Sequence, residues 1–285
     1  MTMLDVYSPR EISKKIILIA ITKSKLPTLS LLLLSLLAGA FIGFGAHFYA
    51  VIISDPSLSF AQARLIGGIC FSLGLVMVVI AGAELFTGNI LISMAWVEGK
   101  ISLKHLLRNW LVACISNLVG ACMLALLVFL SGSWNMNGGE VGHMYLKIAI
   151  SKSVIPFWEL FFLGILCNNL VCLAIWMSFA GRSVIDKCIA ITFPITAFVV
   201  SGFEHSIANM YFYTVAILLK ANGHLLPSNG ELIGISGVLH NLIPVILGNI
   251  IGGGFLVALI YWVIYCRNIH TKKQKDVEFT NKEQL

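Results

Sequence analysis

The sequence predicts an all-α membrane protein with six transmembrane helices in two inverted three-helix repeats, the second and fifth helices broken. Three observations carry that prediction. Hydrophobic residues make up 58% of the 285-residue chain and charged residues only 11%, against about 25% charged in a soluble domain. Six apolar stretches reach or exceed the ~20 residues a bilayer requires. Finally, "GAELFTGN" (82–89) and "GFEHSIAN" (202–209) repeat the pattern G-x-E-x-x-x-x-N, each inside a long apolar run.

Residues 1–28 form an N-terminal segment that carries Lys14, Lys15, Lys23 and Lys25 interleaved with Ile and Leu. They show no cleavable signal peptide. Such a segment either lies flat at the cytoplasmic interface or serves only as a positive-inside anchor. The spans themselves cover 29–53, 65–96, 106–130, 157–179, 188–219 and 238–266, so the membrane domain runs over 29–266. The second and fifth are too long for one crossing and contain the octets, so each reads as a half-helix, a break and another half-helix. Residues 267–285 are polar and read as a disordered tail that identifies no partner. Fifteen of the nineteen Lys and Arg residues fall at the two termini and in the 97–108 and 180–187 connections. Both termini are therefore expected in the cytoplasm, with the connection after the third span outside and Lys152 at its end.

The octets answer to a physical constraint. Non-helical backbone survives at membrane depth only where protein or a water-filled path satisfies it. Paired Gly-interrupted spans in matching positions of inverted halves point to a transport site. Glu84 and Glu204 are expected to face inward and accept bonds from the N–H groups each break frees, with ion binding as the alternative. Asn89 and Asn209 are read as stabilising the same breaks. The octets differ where Leu85 faces His205 and Thr87 faces Ile207. Polar residues without a symmetry mate are better placed for function, so Thr87 and His205 lead as pore residues. Against this stand the roles of a satisfied core histidine and of a helix N-cap.

Other classes fit less well. The seven cysteines lie in or beside apolar runs, with no C-x-x-C. No H-E-x-x-H or Cys/His cluster appears, so no metal or cofactor is expected, and no enzyme. Aquaporin N-P-A boxes are absent, although a neutral-solute facilitator stays open from half-helix logic.

"GGICFSLGL", "AGAELFTGN", "GILCNNLVCLAIWMS", "SGFEHSIANM" and "NLIPVILGNIIGGG" together resemble the formate–nitrite transporter family, from about residue 29 to 266. The resemblance implies an aquaporin-like protomer in a homopentamer of the bacterial inner membrane, with one path per protomer for a small monovalent anion. Formate leads; nitrite or hydrosulfide is the alternative. It implies Thr87, His205 and Asn168 as central polar residues and Lys152 as a vestibule cation. Phe71, Leu75 and Phe86 would form the cytoplasmic constriction, with Phe198 narrowing the opposite side. On this reading Lys152 concentrates anions, half-helix N-termini point at the path, and Thr87, Asn168 and His205 donate hydrogen bonds. His205 would either relay a proton to the entering anion or, in a purely electrogenic channel, serve only as a donor.

Overall fold

A computed structural model describes residues 7–223 and 230–267. Most of the 267–285 tail and the first six residues of the N-terminal segment thus lie outside the described residues. Those described form ten longer helical segments, besides three short 3₁₀ turns. Five are long and apolar enough to cross a membrane: α2 (Thr28–Ile53), α3 (Phe60–Ala81), α5 (Leu103–Leu130), α7 (Phe157–Ser178) and α10 (Ile235–Tyr265). The remaining span, fifth in chain order, is split. Its pieces, α8 (Val184–Val200) and α9 (Ser206–Ala221), are each too short to cross alone. The short α4 (Phe86–Val97) follows α3 as α9 follows α8. α1 (Pro9–Ser24) and α6 (Glu140–Ser153) complete the set.

Each break begins in the same way. Gly82 (φ 81°) and Gly202 (φ 72°) take the left-handed conformation that closes a helix, where a side chain would be strained. The next N–H turns back onto the ended helix, from Ala83 to the Val78 carbonyl and from Phe203 to the Phe198 carbonyl. The chain then runs extended until Leu85 and His205 occupy the N-caps of the second pieces.

The halves pack in matching ways. α2 lies against α5 and α7 against α10, while α3 crosses α8. Each half-helix is held by the other half of the molecule: α9 rests on α5 and α4 on α7. Close approach depends on small residues. A Cβ on Gly120 of α5 would meet the Leu36 carbonyl of α2, and one on Gly252 of α10 would meet the Ile165 carbonyl of α7. Beyond Gly252, α10 widens into a π-helical stretch, Gly252–Leu259.

Two elements lie outside the six-span plan. α6 occupies the connection after the third span and ends with Lys152 in its last turn. Its buried Val141, Tyr145, Ile148 and Ala149 repeat at helical spacing, but its 14 residues are too few to register as a span. α1 opens with a capping box between Ser8 and Glu11. Its buried Ile12, Ile16, Ile17 and Ala20 pack with Leu91, Met94 and Ala95 of α4 and Val257 of α10.

Candidate functional site

The two breaks share one set of buried hydrogen bonds. The Phe86 N–H donates to Asn117 Oδ1 at 2.8 Å, and the Ser206 N–H to Asn249 Oδ1 at 3.1 Å. Asn117 Nδ2 donates to the Ser35 and Glu84 carbonyls. Asn249 Nδ2 donates to the matching carbonyls of Gly164 and Glu204. The Glu84 and Glu204 N–H groups reach Leu34 and Leu163 of the first helix in each half. Freed backbone polar groups in an apolar surround are costly when unpaired, and here they are paired twice by the same pattern.

This corrects one expectation. The carboxylates of Glu84 and Glu204 do not take the freed N–H groups; Asn117 and Asn249 do. Glu84 instead accepts from Asn89 Nδ2 at 2.7 Å and pairs with Lys23 at 3.0 Å. Glu204 accepts from Asn209 Nδ2 at 2.6 Å and pairs with Lys152 at 2.6 Å. Asn89 also donates to Asn109, and Asn209 to Asn241. Each half thus carries one Lys–Glu–Asn–Asn chain. A buried carboxylate needs both a counter-charge and donors, and each has them. The sequence carried a signal for the missed residues: Asn109 and Asn117 stand eight apart on α5, as Asn241 and Asn249 do on α10.

Thr87 and His205 meet where the chains cross. Thr87 Oγ1 lies 3.0 Å from His205 Nε2, and both side chains are buried. The ring also caps its own helix: the Ala208 N–H donates to Nδ1 at 3.1 Å. That bond claims the Nδ1 lone pair, so Nε2 carries the hydrogen in the neutral ring. Nε2–H then donates to Thr87, and the threonine hydroxyl hydrogen is left to point elsewhere. Leu85, in the matching N-cap of α4, makes no such bond.

Asn168 stands beside this pair in a different way. Its amide hydrogens are both committed, to the carbonyls of Thr87 and Asn249 at 3.2 and 2.7 Å. Its Oδ1 is buried without a partner. Asn168 therefore ties the two breaks together and has no donor left for a passing anion.

Two cavities lie on either side of the breaks; His205 lines the larger, and the smaller reaches Gly88, next to Thr87. The larger, about 550 Å³, is lined by Lys152, Glu204, His205, Asn209, Phe71 and Phe198, among others. The smaller, about 310 Å³, is lined by Lys23, Glu84, Leu85, Asn89, Val78 and Gly88, with Ile16 and Ile19 of α1 closing one wall. The constriction residues divide differently from expectation. Phe71 does not oppose Phe198: their rings meet edge to face at 5.5 Å in the Lys152 cavity. Phe198 also stacks on the His205 ring at 6.0 Å. Leu75 and Phe86 are buried in the common core, and Leu85 lines the Lys23 cavity. The α3 helix carries Phe71 toward Lys152 because it enters the protein from that face and reaches its break only at Gly82.

Similar proteins are known. The formate/nitrite transporter profile matches residues 10–263. The formate channel FocA of Escherichia coli strain K12 is 43% identical over 244 residues, covering 82% of this chain and 86% of that protein. A solved structure described as a pentameric formate channel with formate bound superposes with a TM-score of 0.76 at 39% identity, covering 84% of this chain and 98% of the other. An aquaglyceroporin from Plasmodium falciparum, 13% identical with a TM-score of 0.52 over 86% of this chain and 100% of its own, shares the fold alone. The all-helical inverted repeat, its broken second and fifth spans and this match over nearly the whole chain place the protein in the formate/nitrite transporter family.

Proposed function

We propose that the chain forms a membrane channel for small monovalent anions, formate first, with one path per protomer of a homopentamer. The observation that carries this reading is the buried Thr87–His205 contact, 3.0 Å long, whose imidazole lines the Lys152 cavity and whose threonine adjoins Gly88 of the Lys23 cavity. An anion leaving water at such a waist loses its hydration and needs donors in return. The Thr87 hydroxyl, oriented by His205 Nε2–H, supplies one. The similarity to formate channels supports formate over nitrite or a neutral solute. The bacterial relatives support an inner-membrane location, and the Lys and Arg excess at the termini and the 97–108 and 180–187 connections supports both termini being cytoplasmic, so that the Lys152 cavity faces outward.

The Ala208 bond to Nδ1 favours His205 as a fixed neutral donor over a proton relay. A neutral Nε2–H that gave up its proton would leave an imidazolate, and a backbone amide cannot refill Nδ1. In proteoliposomes, Thr87→Val should lower formate flux about ten- to a hundred-fold, the worth of one hydrogen bond to a charged group. Thr87→Ser should keep most of it. Flux unchanged by Thr87→Val would sink the reading. On the donor account formate carries net current under voltage clamp; electroneutral flux with one proton per anion would restore the relay.

A further inference from the structure

Each cavity contains one lysine whose charge is already answered. Lys152 Nζ lies 2.6 Å from Glu204 Oε1, and Lys23 Nζ lies 3.0 Å from Glu84 Oε1. Seen from the mouth, each pair is close to a dipole and draws an anion weakly. The remaining charges are different. Arg64 and Lys147 line the Lys152 cavity, and Lys187 lines the Lys23 cavity. None of the three pairs with a carboxylate among the described residues, and neither cavity wall has a second acidic residue.

Their placement follows the inverted repeat. Arg64 lies in the first turns of α3 and Lys187 in the opening turn of α8, the leading pieces of the two broken spans. Each piece enters from the face its cation guards. Arg64 lies over the second break, where a Cβ on Gly202 would sit 3.9 Å from Nη1. The guanidinium donates to the Val199 carbonyl at the end of α8 and rests over the Phe60 ring. A helix C-terminus welcomes a cation, so capping alone would account for Arg64. It does not account for Lys187, which stands near a helix N-terminus, where the dipole opposes positive charge.

We propose that Arg64 with Lys147 at one mouth, and Lys187 at the other, are the residues that capture the anion, while Lys152 and Lys23 hold the buried glutamates in place. The proposal rests on the anion-transport reading above. A unit charge ~8 Å from an anion in a water-filled mouth changes its local concentration about two- to three-fold, and salt screens the effect over ~10 Å at 0.1 M.

The test is the concentration dependence of formate entry, measured from each face in vesicles of each orientation. At low salt, Arg64→Gln/Lys147→Gln should raise KM about five-fold for formate presented at the Lys152 mouth. KM from the other mouth should not change, and the difference should shrink toward unity in ~1 M salt. Lys187→Gln should raise KM about two-fold from the Lys23 mouth only. Arg64→Lys/Lys147→Arg, which keeps both charges, should behave as the wild type. An active wild type whose KM ignores Arg64→Gln/Lys147→Gln would overturn the proposal. So would a charge-keeping variant as impaired as the glutamines, since that marks packing and not charge. A wild type without saturable formate flux would bring down the transport reading itself.

Discussion

Asn117 and Asn249 show what one buried side chain does in this fold. Each accepts one N–H at the start of a half-helix and donates to two carbonyls from different segments. Replacing either by leucine removes all three partners in a place water does not reach. Each orphaned group costs about 1–3 kcal/mol, so Asn117→Leu and Asn249→Leu should sharply lower the thermal unfolding midpoint in detergent. An unshifted midpoint would show that the breaks hold without them. The ion pairs follow a related logic. Lys23→Met leaves Glu84 charged and unpaired, whereas Lys23→Met/Glu84→Gln removes the charge as well. The double variant should be more stable than the single one; thermal unfolding of both compares them.

Residue identity was legible in the sequence wherever a pattern was repeated with a difference. Thr87 and His205 stood out because their octet partners, Ile207 and Leu85, are apolar, and the fold brings the two together. Lys23 was hidden inside a lysine-rich segment, where one more cation carried no signal. Its role depends on α1 folding back onto α4, a tertiary event. Phe71 fell on the wrong side because periodicity gives the face of a helix, while only the direction of entry says which mouth that face sees.

At the scale of elements, the broken spans were readable because their length exceeded one crossing and a glycine stood at each interruption. α6 was not, since a 14-residue amphipathic helix between two spans resembles an ordinary connection. The glycines of the tight crossings make the strongest claim here. Gly252→Ala would place a methyl group against the Ile165 carbonyl of α7, and backbone at both sides leaves little room to yield. That variant should fail to accumulate or should unfold at a much lower temperature; membrane yield and thermal midpoint test it. Ala at the half-buried but open position of Gly234, where nothing lies near, should be well tolerated.

For the whole molecule, composition alone announced a membrane protein, and the Lys and Arg distribution predicts its direction. Reporter fusions at both ends should show activity only in the cytoplasm, and a fusion within residues 133–139 only outside. Opposite signals would invert the assignment of the two mouths without disturbing the wiring between them.

The Ala208 bond to His205 belongs to the second half only, and so does the imidazole that receives it. A hypothetical ancestor made of two identical first halves would keep the asparagine braces and both lysine–glutamate pairs. It would set leucine against threonine at its centre: a sound container with a greasy stopper. In the present chain a histidine stands at position 205, and its ring meets Thr87 where that leucine would have been.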